Sequence, residues 1–361
     1  MNSPMRSPWL WSPRLDLAIF VGTAAIALGL VALGPALGVP PNGDGPEWSW
    51  IIGVLMVEVA HVWSTAFVVY LDPVEFRRRR TLYLAVPIAA WLIGIALYQL
   101  GEASFWRVVA YLAIFHFVRQ QWGWVAMYRA RAGEHSRLGR AIDATAIYAA
   151  TLYPLLVWHT QLPKAFWWMR EGDLVPLPNY FARGAGAVWA IALVAYVVAA
   201  IVAAHRRRAH AADGPATNWG KHAVVGITAA CWYVGIVATN SDYAFTVTNV
   251  FIHGIPYLAL VFHYARSASV DAPHGLAARL LSRGALPFLA TLWAVAYCEE
   301  LLWDRAVWHD RPWLFGESGT ASTFALAVLV PALAAPQLTH YILDGILWRR
   351  SQNPRLPRLL R

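Results

Sequence analysis

The feature that most constrains this chain is an apolar run of about twenty residues that recurs along its whole length. Coiled as a helix, such a run matches a hydrocarbon core about 30 Å thick. The runs fall at roughly 15–39, 49–71, 82–100, 104–128, 141–159, 184–204, 221–240, 243–265, 285–303 and 323–348. They predict an all-α fold: a polytopic transmembrane helical bundle of about ten spans. Residues 1–361 are expected to form a single integral membrane domain, with no internal repeat and no soluble domain. Arg6 and Arg14 precede the first run, which is too long for the core of a cleaved leader and reads as a signal anchor.

Charge gives the orientation. Only 14% of the residues are charged, against about a quarter in soluble proteins, yet the net charge is +9. The excess is arginine, and it alternates between connections. Arg6 and Arg14, Arg77 to Arg80, Arg129 to Arg140, Arg206 to Arg208, Arg266 to Arg283 and the tail from Arg349 share one side. The opposite connections hold little more than Lys164, Arg170, Arg305 and Arg311. Positive loops stay inside, so both termini are expected in the cytoplasm, in a bacterial-type inner (cell) membrane. This placement accounts for the basic character through anionic lipid, with no nucleic-acid partner. The loops 160–183 (with Phe166, Trp167, Trp168 and Met169) and 304–322 read as segments on the outer interface.

Ionisable groups inside a bilayer are expensive and mark functional sites. Four runs carry them in the middle or the cytoplasmic half. Glu58 and His61 lie three apart, His116 and Gln120 four apart, Asn249 and His253 four apart; Gln337, His340 and Asp344 follow one another at about one turn. All four runs are even-numbered and so cross in the same direction. Each histidine precedes the inner boundary by nine to thirteen residues (61 to 72, 116 to 129, 253 to 266, 340 to 349), which sets the imidazoles within roughly 6 Å of one another in depth. A lone histidine in a span more often bonds a neighbouring helix; four at one depth, each with a polar residue a turn away, point to a shared site. Gln120, Asn249 and Gln337 are alternatively cross-links between helices.

The remaining polar residues read more plainly. His135, His159, His205, His210, His222 and His309 are expected to be solvated, and His263 is either an interfacial residue or a peripheral ligand. Glu299 and Glu300 are expected to reach headgroups rather than serve transport, and Arg119 to sit in a structural ion pair rather than hold an anionic group or a carboxylate such as Glu58. Cys231 and Cys298 lie in apolar runs and offer neither a disulfide framework nor a metal spacing.

An imidazole-rich set with two carboxylates and no thiolate suits iron, zinc or copper. His61, His116, His253 and His340 are therefore the candidate metal ligands. Glu58 and Asp344 are the candidate catalytic carboxylates, which complete the ligand shell or orient it. Trp63, Phe115, Phe117, Trp122, Trp124, Phe251, Tyr257 and Tyr341 surround these positions and are candidates to line a tunnel for an apolar chain.

Three of the histidine segments resemble those of the Brp/Blh-type membrane dioxygenases, which cleave β-carotene to retinal. Ile114-Phe115-His116-Phe117 is similar to that family's second motif, Phe251-Ile252-His253 to the start of its third, and His340 with Asp344 to its last. The chain departs from the pattern at Ala60-His61-Val62, where the family has Pro-His-Gly. In the third motif the family's second histidine is missing; His263 stands ten residues on. The resemblance implies non-haem Fe(II), or another first-row metal, held by the four histidines. It also implies an oxygenase that takes dioxygen and a lipid-soluble, carotenoid-like substrate. Two other classes use the same residues: a transporter or proton-coupled carrier, and a bis-histidine haem protein.

Overall fold

The computed structural model describes residues 8–39, 42–43, 45–164, 169–210, 217–317, 319 and 321–359. Arg6, Phe166, Trp167 and Trp168 lie outside the described residues, as do the side chains of 207–210. Ten long helices follow the predicted runs closely: α1 Pro13–Leu37, α2 Glu47–Val68, α3 Arg80–Gln99, α4 Glu102–Ala132, α5 Arg137–Thr160, α6 Tyr180–His210, α7 Trp219–Ala238, α8 Asp242–Asp271, α9 Ala285–Trp308 and α10 Thr323–Leu347. Local chemistry sets several starts. The side chains of Ser12, Ser136, Asn218, Ser241 and Ser322 each accept a backbone N–H from the first turn of α1, α5, α7, α8 and α10. Among the described residues the only strands are a two-residue parallel pairing, Asn42–Gly43 with Asn240–Ser241.

The all-α expectation holds, and nine of the ten long helices among the described residues are apolar enough to cross a membrane. The exception is α4. Its 31 residues are long enough, but Arg107, His116, Arg119, Gln120 and Gln121 dilute its apolar character. Burial is inverted relative to a water-soluble protein. In α6, the most apolar helix, only 11% of its most apolar stretch is buried, whereas in α8, which carries Asn249 and His253, the share is 83%. Apolar side chains such as Ile191 and Val194 on α6 are thus spent on lipid, and the polar ones on the interior.

By its contacts the chain divides into two compact units. The first comprises 1–49, 114–256 and 360–361, and the second 50–113 and 257–359. In the first, α5 packs along α6, and α7 lies against α5 and α1. Close approach demands glycine: a Cβ at Gly235 would stand 2.2 Å from Thr248 Oγ1 and 2.3 Å from Asn249 Nδ2. The ends assigned to one side by the arginine count gather here. Lys221 Nζ donates to Glu134 (2.6 Å) and Asp143 (3.1 Å), and Arg129 pairs with both acids. Tyr128 donates to Asp16 at 2.9 Å.

In the second unit α10 packs along α3, and α9 against α2. Its apolar core includes Ala90, Phe105, Val109, Trp303, Val330 and Leu333. The ends that share a predicted side meet here too. Arg355 pairs with Asp72 and with Asp271 (3.0 Å), and Arg358 also reaches Asp271 at 3.0 Å.

Candidate functional site

Each unit buries one pair of the four histidines. In the second unit α2 brings His61 and α10 brings His340 together, with ring centroids 4.8 Å apart and nearly perpendicular. Both are fully enclosed, at 0% and 1% exposure. A π-helical stretch, Ile51–Val59, leads directly into the turn that carries His61. Such widened turns recur at functional sites. Glu58 lies within this stretch, buried, with its Oε2 3.4 Å from His61 Nδ1 and, among the described residues, no hydrogen-bond donor to that oxygen. An uncompensated carboxylate oxygen in such a place is costly.

His340 Nδ1 lies 2.8 Å from Thr65 Oγ1. Asp344, expected to orient this ring, has its nearest carboxylate oxygen 3.7 Å from Nδ1, too far for a hydrogen bond. It accepts instead from the Tyr257 hydroxyl (2.5 Å) and from Trp348 Nε1 (3.2 Å). Trp348 Nε1 also lies 3.3 Å from the Tyr257 oxygen. The Tyr257 ring stands edge-on to both imidazoles, 5.6 Å from His61 and 5.2 Å from His340. Sequence reasoning placed Tyr257 among the tunnel aromatics and passed over Thr65. The available signal was spacing, since Thr65 follows His61 by four residues and so shares its helix face.

In the first unit α4 brings His116 and α8 brings His253 to a centroid distance of 5.1 Å, again nearly perpendicular. They are 5% and 0% exposed. Another of the five π-helical stretches among the described residues, Thr246–Val250, stands just before His253. The surroundings differ in kind from those of the other pair. Phe117 stacks flat on the His253 ring at 3.7 Å. Gln120 Nε2 donates to the His253 backbone carbonyl at 2.7 Å and so ties α4 to α8. Gln120 is therefore a cross-link between helices. Asn249 and Gln337 bond locally, to Thr248 Oγ1 (3.0 Å) and to the Tyr341 hydroxyl (2.7 Å).

Other expectations are corrected. Arg119 donates to the Tyr148 phenol oxygen, a neutral partner in place of an ion pair. Glu299 does not reach outward: it accepts from Trp63 Nε1 and Trp303 Nε1, and Glu300 beside it is buried. Two indole N–H groups make an inward carboxylate tolerable, a pairing invisible in sequence because Trp63 is 236 residues away. His222 bonds the Tyr196 hydroxyl at 2.7 Å, and His159 lies 2.6 Å from the Leu155 carbonyl oxygen, so neither is simply solvated. His135, His205 and His309 are exposed as expected, and His263 is half-buried. The tunnel aromatics scatter: Phe115 is exposed, Trp124 and Phe251 are core, and Tyr341 serves Gln337.

Comparison of the chain with protein-family models, with curated proteins and with solved structures finds no match.

Proposed function

We propose that the chain is a membrane-embedded, histidine-ligated metal oxygenase acting on a lipid-soluble, carotenoid-like substrate in a bacterial-type inner (cell) membrane. The observation that carries this reading is the pairing: each unit buries two imidazoles about 5 Å apart, where an unused histidine is a liability. The two pairs are read as one ligand set because the sequence puts all four at one depth. The donor chemistry fits Fe(II), or another first-row metal: imidazole nitrogens, two carboxylates, and the orphaned oxygen of Glu58 as a group that awaits a cation. Bound by His61, His116, His253 and His340, the metal would supply the redox chemistry that lets dioxygen react with an apolar chain. The residues themselves would hold and orient the ligands and exclude water.

Purified protein should contain iron by elemental mass spectrometry and show no haem absorption band. His116→Ala and His340→Ala should each lose most of the iron while still inserting, because neither alters the apolar length of its helix. Full occupancy in both variants overturns the ligand set. Metal-free wild-type protein that carries protons or solutes would replace the oxygenase with a carrier.

A further inference from the structure

Arg119 and Arg140 are exceptions to the way the first unit handles its cations. Where α4 passes into α5, Arg129 and Lys221 share Glu134 and Asp143. Arg119 stands ten residues before Arg129, about 15 Å further along α4 and well inside its apolar run. It is exposed, and it donates to the neutral Tyr148 hydroxyl on α5. Arg140, in the first turn of α5, is exposed as well and lies against an aromatic ring. Among the described residues neither arginine has a carboxylate within ion-pair distance. A cation inside a bilayer normally turns to the protein interior or meets a counter-charge. Arg119 faces outward, so its counter-charge has to come from the lipid side.

One aromatic frame joins the two arginines. Arg119 and Trp122 are three residues apart and share a face of α4. The Trp122 indole stacks on the Tyr148 ring, with 6.1 Å between centroids and 23° between planes. The Arg140 guanidinium lies over the Trp122 ring, 5.7 Å from its centroid. The stacked pair thus stands between a cation at the helix end, where headgroups lie, and a deeper one. One turn beyond Arg119 and Tyr148, away from that end, Phe115 and Leu152 expose apolar side chains. Positive charge followed by hydrocarbon is the complement of a lipid anion.

We propose that this face of α4 and α5 binds an anionic phospholipid, with its phosphate at Arg140 and Arg119 and an acyl chain on Phe115 and Leu152. Guanidinium N–H groups take phosphate oxygens in forked, charge-assisted hydrogen bonds. Basic places between helices near one membrane surface hold acidic headgroups. A zwitterionic lipid brings its own ammonium and leaves the two arginines uncompensated. The site uses none of the four histidines, so it stands or falls independently of the oxygenase reading.

The test uses the full chain in nanodiscs of phosphatidylcholine with a minority of phosphatidylglycerol of the same acyl chains. Native mass spectrometry counts the lipid retained on release, and titration with short-chain phosphatidylglycerol in neutral detergent gives the affinity. Wild-type protein should retain phosphatidylglycerol in preference to phosphatidylcholine. Arg119→Gln and Arg140→Gln should each weaken its binding by about fivefold or more. Both variants should insert, since Arg119→Gln removes a charge from an apolar run and Arg140 is at a helix end. Arg137→Gln, which removes an exposed arginine from the same turn of α5 but outside the aromatic frame, should bind as the wild type does. An equal loss in Arg137→Gln would reduce the effect to general surface charge and overturn the proposal. It is overturned too by unchanged binding in both other variants, or by equal retention of the two lipids. Oleate bound through Arg119 with no binding of phosphatidylglycerol, or a lipid-free dimer that Arg119→Gln dissociates, would assign the face to a different occupant and also overturn it.

Discussion

The two units are alike at their ends and unlike at their histidines. Each fastens helix ends with arginine and carboxylate: Arg129, Glu134, Asp143 and Lys221 in the first, Asp72, Asp271, Arg355 and Arg358 in the second. Such clusters join elements where water or headgroups are near, and they serve architecture. At the histidines the units diverge. The second surrounds its pair with Glu58, Thr65, Tyr257, Asp344 and Trp348, whereas the first uses a stacked phenylalanine and an amide bond to backbone. Carboxylates buried midway along apolar helices cost far more than those at the ends. On the proposed reading, their concentration around His61 and His340 would make that unit the one that tunes a metal, and the other the one that only holds ligands in place.

Three substitutions bear on this contrast, in order of expected effect. Lys221→Met in the first unit's end cluster leaves a buried acid short of a partner. It should cost about 3–5 kcal/mol, read as a lowered unfolding temperature in detergent. Because the cluster is architectural, iron bound per folded molecule should not change; a loss of iron without a loss of stability would erase the distinction between ends and histidines. Asp344→Asn should act in the opposite sense. Its amide oxygen still accepts from Tyr257, so the fold should persist while metal affinity falls by about 10–100-fold, equivalent to about 1.4–2.8 kcal/mol. Equal affinity for the variant and the wild type would demote the second unit to the role given to the first.

The smallest effect concerns Glu134, which lies between α4 and α5. Burial pulls its carboxyl upward, but Lys221, Asn218 and Arg129 outweigh burial and hold it below its usual value of 4.5. A carboxyl lowered on folding stabilises the protein above that value, and the contribution disappears as pH falls through the lowered one. Wild-type protein should therefore lose more stability on acidification from pH 7 than Glu134→Gln, with iron content at neutral pH the same in both. Parallel pH–stability curves would show that the first unit's cluster does not depend on this acid.

The helices and much of the candidate site were legible in the sequence, for a physical reason. A bilayer asks for about twenty apolar residues per crossing and penalises every charge placed within them, so composition along one dimension locates both the spans and their exceptions. The runs expected at 49–71 and 243–265 are α2 and α8, within a few residues. His61, His116, His253 and His340 could be picked out because each breaks such a run. What sequence leaves open is which polar group answers which. Asp344 stands four residues from His340 and looked like its partner, yet the ring turns to Thr65, 275 residues away, and the carboxylate to Tyr257. Gln120 stands a turn from His116 and bonds the backbone of His253. Glu299 turns inward because two indoles wait there. Hydrophobic burial is a sum over many residues and survives in their order along the chain. A hydrogen bond depends on a few tenths of an ångström and an angle between two helices, and only tertiary packing decides those.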